Sequence, residues 1–293
     1  MRLCFALSAL LLVVHAATAV AADEQKKPLA SDTLKPPKRH ASSSPITDRF
    51  ALRVLYYPGS VTTNLRLDQQ NGLQIGTPVS VEDDLGLDDK KAMGRAELMF
   101  RLRERNRLRV DYMKLARLGD KVLTRQINFG DEVFRVNDRA LTALEWRSLT
   151  FTYTRSLLYT ERFELGVGLG ISVLEARVRG EVTARNVREH QEAVGAFPTI
   201  AVDGTWRISK RWAFNGRAQR FSTSVDEFRG SLSEYHADFQ YRWRENFALG
   251  LGYSKFKTVV DVGSDPVGVD DNDLTGRFDQ QVTGPEVFFR ASF

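Results

Sequence analysis

Cysteine is nearly absent from this chain. The single one, Cys4, lies near the start of an N-terminal apolar run. A chain without that run has no thiol, so disulfides, thiolate metal sites and a cysteine nucleophile are excluded together. Long apolar runs are also scarce. Leu3 to Val14 is almost wholly apolar, but nothing downstream approaches the roughly 18 residues that a membrane helix needs. A strong excess of one charge is missing too: 42 Lys and Arg face 37 Asp and Glu, a net charge of +5. A basic balance in an exported chain points to anionic lipid or lipopolysaccharide rather than nucleic acid.

The start of the chain reads as an export signal. Met1-Arg2 supplies the positive end, the apolar run follows, and Ala19-Val20-Ala21 fits cleavage between small residues. Cys4 stands at the wrong end of the run for lipoprotein acylation. Residues 1–21 are expected to be a signal peptide. Residues 22–48 hold Pro, Ser and Lys and few large apolar groups, and such a segment buries too little surface to offset its ordering entropy. It is expected to be a disordered periplasmic tail, a tether that also has the option of touching a periplasmic partner. Residues 49–293 are uniform in composition and form one domain.

Within that domain the period is two. Phe163, Leu165, Val167, Leu169, Ile171 and Val173 alternate with Glu164, Gly166, Gly168, Gly170 and Ser172. Tyr235, Ala237, Phe239, Tyr241 and Trp243 alternate with His236, Asp238, Gln240 and Arg242. This is strand periodicity with one greasy and one polar face. A soluble sandwich shows the same alternation. Here, however, the polar face carries Gly, Ser, Thr, Gln and Arg, which suits a small enclosed lumen. Short turns at 104–106, 157–161, 209–211 and 244–246 alternate with longer connections at 58–91, 119–138, 180–195, 226–231 and 261–278. Short turns on one side and long loops on the other characterise a transmembrane β-barrel.

The expected fold class is all-β, an antiparallel transmembrane barrel of ten strands, with eight and twelve as alternative counts. The strands are placed near 49–57, 92–104, 107–118, 139–156, 162–179, 196–208, 212–224, 232–243, 247–260 and 280–293. Residues 61–83 are the weakest stretch, with the option of extending the first hairpin above the membrane. Around Trp146 to Leu149 the apolar face changes parity, which suggests a bulge. Trp206 with Trp212, Trp243 with Phe247, and Tyr159 with Phe163 flank three short turns, and Phe293 stands at their level. Together they form a girdle at the periplasmic interface.

The C-terminus reads Val287-Phe288-Phe289-Arg290-Ala291-Ser292-Phe293. A terminal Phe after apolar residues at every second position resembles the closing strand of Gram-negative outer-membrane barrels. The resemblance implies a small monomeric barrel in the outer membrane, exported through a cleaved signal. It also implies recognition by the barrel-assembly machinery through the strand ending at Phe293.

The loops and the lumen carry the residues that could do chemistry. Glu82-Asp83-Asp84, Asp88-Asp89, Asp270-Asp271-Asn272-Asp273 and His190 offer the residue types of the omptin proteases without that family's local motifs. His236 is the one strand histidine, and its parity turns it inward beside Asp238 and Arg242, away from the lipid-facing Ser-His couple that a barrel lipase needs. The acidic loops lack the spaced ligand ladder of a Ca²⁺ site. No catalytic, cofactor or metal residue is assigned and no cofactor is expected. By parity Arg53, Arg95, Arg101, Arg109, Arg207, Arg217, Arg242 and Arg290 face inward, with Glu97, Asp111, Glu164, Asp203, Asp238 and Glu286. The expected function is non-enzymatic, structural or surface-interacting, around a lumen filled by Arg–carboxylate pairs. The alternative is a narrow, slightly anion-preferring pore, and an outer-membrane hydrolase is the third reading.

Overall fold

The computed structural model describes residues 44–68, 75–129, 132–225, 228–262 and 276–293. The expected signal peptide, the tail up to residue 43 and the Asp270-Asp271-Asn272-Asp273 run lie outside the described residues. Ten long strands form the structure: β1 (Phe50–Leu67), β2 (Lys90–Arg103), β3 (Asn106–Val122), β4 (Arg139–Tyr159), β5 (Phe163–Val182), β6 (Val187–Arg207), β7 (Trp212–Val225), β8 (Phe228–Arg244), β9 (Phe247–Val262) and β10 (Gly276–Ser292). Each pairs antiparallel with its chain neighbours. β10 pairs back onto β1, from Ala51↔Ser292 to Leu67↔Gly276, and closes the barrel. Closure lets a sheet satisfy its own backbone groups within lipid. Among the described residues no helix is long and apolar enough to cross a membrane.

The strands are longer than expected. They run from 14 residues in β2 to 21 in β4 and β6, whereas a tilted crossing takes about 9–11. The connection expected at 180–195 is mostly strand, with β5 and β6 paired as far as Val182↔Val187. Their excess length lies at the external end.

What lets the strands continue is an inversion of polarity at constant parity. Along the lower part of β5, Phe163 to Val173 point outward at every second position and Glu164, Gly166, Gly168, Gly170 and Ser172 point inward. Higher up, Leu174, Ala176 and Val178 take the inner positions, and Glu175, Arg177 and Arg179 the outer ones. β4 does the same: Thr150, Thr152 and Thr154 lie inside below, Trp146 and Leu144 above. The bulge expected at Trp146 to Leu149 is therefore absent. β3 and β4 keep one register from Asn106↔Arg155 to Val122↔Arg139, and the apparent change of parity is the change from lipid to water outside the wall.

Register shifts occur at the short turns instead, between Arg101 and Arg103, Ser156 and Leu158, and Arg242 and Arg244. The second of these turns Tyr159 into the lumen, under the Arg101 guanidinium at 5.5 Å, so Tyr159 leaves the expected girdle. The rest of the girdle forms. Trp212 packs on Tyr241 at 4.9 Å, Trp243 on Phe247 at 6.2 Å, and Phe50 on Phe293 at 6.4 Å.

Candidate functional site: the filled lumen

The lower half of the lumen is an ion-pair network. Arg101 grips Glu164 with two bonds of 2.8 and 2.9 Å. Arg107 reaches Asp203 at 2.8 Å, and Arg109 lies 3.4 Å from Glu97. Arg217 bonds Glu97 at 2.7 Å and Glu234 at 3.0 Å. Arg95 clasps Asp111 at 2.8 Å and touches Glu234. Arg53 holds Asp238 at 2.9 Å. Lumen glycines make room for these long side chains: a Cβ on Gly166 would stand 2.7 Å from Arg107 Nη2. Buried ions persist only when paired with good geometry, because desolvation costs several kcal/mol per charge.

Most of the residues assigned inward by parity join this network, with three differences. Arg207 is half-buried at the turn end and enters none of these pairs. Arg107 takes its place; it follows the 104–105 turn and shares the parity of Arg109, a signal present in the sequence. Glu234 was also legible, two residues before His236 on the same face. Asp48 was not. It belongs to the stretch expected to be a disordered tail, yet 44–48 is described and largely buried, with Ile46 fully so. Asp48 takes Arg242 at 2.6 Å and Arg290 at 3.1 Å. Among the described residues the network is therefore balanced. Arg53, Arg95, Arg101, Arg107, Arg109, Arg217, Arg242 and Arg290 face Asp48, Glu97, Asp111, Glu164, Asp203, Glu234, Asp238 and Glu286, eight against eight. The excess of arginine that parity alone gave is gone. A cavity of about 40 Å³ remains, lined by Pro45, Arg53, Arg107, Arg109, Arg217 and Arg290 among others.

His236 sits in this network. Its Nε2 lies 2.6 Å from Asp238 Oδ2, and its Nδ1 lies 2.9 Å from Ser254 Oγ and 3.0 Å from Glu286 Oε1. The serine, histidine and carboxylate of a hydrolase are thus together, but Ser254 is 1% exposed and donates to Glu286 at 2.7 Å. His236, Asp238 and Glu286 also have the donor types of a metal site. The two carboxylates engage opposite ring nitrogens, however, and Arg53 occupies Asp238. The arrangement is a hydrogen-bonded chain, not a convergent ligand set.

Above Thr150 and Ser172, whose hydroxyls share a bond of 2.9 Å, the lumen becomes apolar. Tyr57, Val61, Met93, Met113, Leu115, Leu144, Trp146, Leu174, Phe197 and Phe256 form one buried cluster, with Trp146 edge-on to Phe256 at 5.0 Å. A five-residue helix, α1 (Val81–Leu85), caps it with Val81 and Leu85. Ser80 caps the helix start, and Gly86 ends it at φ 72°, in the left-handed region that glycine enters without cost. Glu82 of α1 accepts from the Thr63 N–H at 2.9 Å and pairs with Arg117, which is 1% exposed and donates to Thr63 Oγ1 at 2.6 Å. At the rim, the Arg125 guanidinium bonds Asp84 at 2.7 Å and holds its carboxyl below the usual carboxylate range. The acidic run Glu82-Asp83-Asp84 thus builds the cap. His190 stands exposed on the outer face of β6, opposite Arg179 rather than an acid.

A closed ten-stranded sheet with an oily lower exterior and a charged interior is an outer-membrane β-barrel, and those features place the chain in the Gram-negative outer membrane. A solved structure supports the fold. The outer membrane protease OmpT from Escherichia coli superposes with a TM-score of 0.51 at 10% identity, over 83% of this chain and 96% of that one. Neisserial surface protein A (NspA) gives a TM-score of 0.32 at 11% identity over 83% and 97%. Ail, the attachment invasion locus protein of Yersinia pestis, gives 0.33 at 9% over 82% and 99%. No protein-family model matches the chain, and no curated protein matches it in sequence. At 10% identity the likeness to the protease concerns the fold alone.

Proposed function

We propose that this chain is a non-enzymatic outer-membrane protein, a closed barrel with a structural or surface-interacting role. The observation that carries the reading is the filling of the lumen over both halves, by a charge-balanced network below and an apolar core with a helical cap above. Among the described residues, buried side chains occupy the inner face in both halves. A narrow anion-preferring pore is the second reading. The arginine-lined cavity favours it, while the eight-to-eight balance and the apolar upper half oppose it. A hydrolase is the least supported, since Ser254 and His236 are sealed in and His190 has no acid opposite.

The surface above the lipid belt suits lipopolysaccharide. Lys114, Glu145, Arg147, Glu175, Arg177 and Glu192 form a ladder of alternating sign across β3 to β6. Arg220 and Lys255 stand exposed on β7 and β9, where phosphate groups of the outer leaflet would meet them. Export by the signal at 1–21, a tether at 22–43, assembly through the strand ending at Phe293, and a monomeric state complete the proposal. Purified barrel in planar bilayers tests it. Membranes that stay silent at 100 mV or so are expected, and steady unitary currents would transfer the reading to the pore.

A further inference from the structure

The wall of the barrel is not closed along its whole height. β6 pairs with β5 throughout, from Phe163↔Trp206 to Val182↔Val187. It pairs with β7 only from Ala213↔Arg207 up to Arg220↔Ile200. β7 itself continues beyond Arg220, paired with β8 as far as Val225↔Phe228. A seam therefore opens between β6 and β7 above Ile200.

The sequence explains where the seam begins. The Arg207 N–H donates to Arg162 O at the foot of β5, so odd-numbered residues of β6 bond toward β5 and even-numbered ones toward β7. Continuing the β6–β7 ladder, the next hydrogen-bonded pair would be Pro198 with Ser222. Pro198 has no N–H to give, and it lacks it on the side that faces β7. Just above the last pair, Phe197 and Phe221 meet across the seam, ring centroids 5.9 Å apart and planes at 70°. Beyond them, Ala196, Val194, Glu192, His190 and Arg188 direct their backbone groups at no strand among the described residues.

This edge stands above the lipid. Opposite Val194 and Glu192 on β5 are Glu175 and Arg177, and Arg177 Nε lies 3.1 Å from Glu192. An acyl chain would meet charges there. A row of free N–H and C=O groups spaced along an extended strand is matched by another extended backbone. Soluble sheets blunt such edges because they recruit one. The rings of Phe197 and Phe221 favour apolar side chains facing in, and the charged outer face of β6 favours polar ones facing out.

We propose that the open β6 edge at 188–196 captures an extended peptide segment of an external partner, antiparallel to β6, with alternating apolar and polar residues. The inference rests on the surface-interaction reading and names its site. Conductance tests that reading independently, so the two fail separately.

The experiment is residue-resolved hydrogen exchange on the full barrel in lipid nanodiscs. In the free barrel, amides of Arg188, Glu192, Val194 and Ala196 are expected to exchange at least about tenfold faster than those of Gln191, Ala193 and Gly195. Uniform protection would show a zipped wall and overturn the proposal. The probe is a synthetic peptide with the sequence of residues 217–225, which spans the last four β7 residues that β6 pairs with and the stretch of β7 that continues beyond them. Its addition is expected to slow the even-numbered amides about tenfold, and the same peptide with prolines at alternate positions is expected to do nothing. No slowing at saturating peptide overturns the proposal. So does protection that appears without peptide and rises with barrel concentration, which would give the edge to a second copy. Pro198→Val restores the missing N–H and is expected to extend the β6–β7 ladder and weaken peptide capture while the barrel stays folded. Undiminished capture by that variant would contradict the proposal.

Discussion

The two halves of the lumen solve the same problem with opposite chemistry. Below Thr150 and Ser172 the wall is oily outside and ionic inside; above them ladders of ion pairs cross the outer face, and the interior is mostly oily around the buried Arg117–Glu82 pair. Strand parity never changes between them. The solvent does: lipid surrounds the lower wall and water the upper one, and each half buries whatever its surroundings reject. The upper half is built like a soluble β-barrel with a hydrophobic core. The lower half has no hydrophobic effect to drive its interior together, so its interior is held by paired charges whose value depends on every partner being present.

That difference sets the order of the expected effects. Glu164, fully buried, takes Arg101 in two bonds and lies 3.5 Å from Arg107. Glu164→Gln leaves the Arg101 guanidinium without its carboxylate, while Arg107 keeps Asp203, and is expected to cost about 3–5 kcal/mol in urea unfolding from lipid vesicles. Arg101→Met together with Glu164→Leu is expected to recover most of it. A double variant as unstable as the single one would break the account of the lower half. In the upper half, Trp146→Ala removes a ring buried against Phe256 and is expected to cost about 3–5 kcal/mol through the cavity it leaves. A value near zero would mean that this region is not a packed core.

On the outer face, Val167→Arg puts a charge in the belt and is expected to cost about 2–4 kcal/mol. Glu175→Leu, eight residues on along the same face, is expected to change stability by less than about 1 kcal/mol. Equal costs would erase the boundary between the halves. The smallest effect concerns the cap. Asp84 is held ionised by Arg125, so its contribution is present above the ordinary carboxylate pKa and is lost as pH falls through its lower folded value. The pair is partly exposed, and the loss on going from pH 6 to pH 2 is expected to stay below about 1 kcal/mol. Proteolysis of the 75–90 connection as a function of pH measures it, and Asp84→Asn should flatten the profile.

The strands, their number, the turns and the girdle were legible because each rests on a local pattern of period two. Most of the lumen network was legible for the same reason. What escaped was anything needing knowledge of the surroundings. Trp146 reads as a break in the pattern because above the lipid the apolar residues belong inside the wall. Tyr159 was misplaced because a one-residue shift between Ser156 and Leu158 reverses the face. Asp48 lies in a stretch poor in large apolar groups, and only the arginines it meets, Arg242 and Arg290, fix its place. The seam above Ile200 was invisible because a proline in a strand shows its consequence only once the neighbour facing its nitrogen is known.

A nitroxide scan along β5, one label per variant from position 163 to 181, tests the inversion most directly. Odd-numbered labels up to Val173 should collide with oxygen dissolved in lipid, and odd-numbered labels from Glu175 onward should collide with a water-soluble nickel complex, while even-numbered labels stay shielded throughout. If the shielded set were to switch from even to odd near Val173, the wall would carry a break in parity and the two-halved lumen would be contradicted.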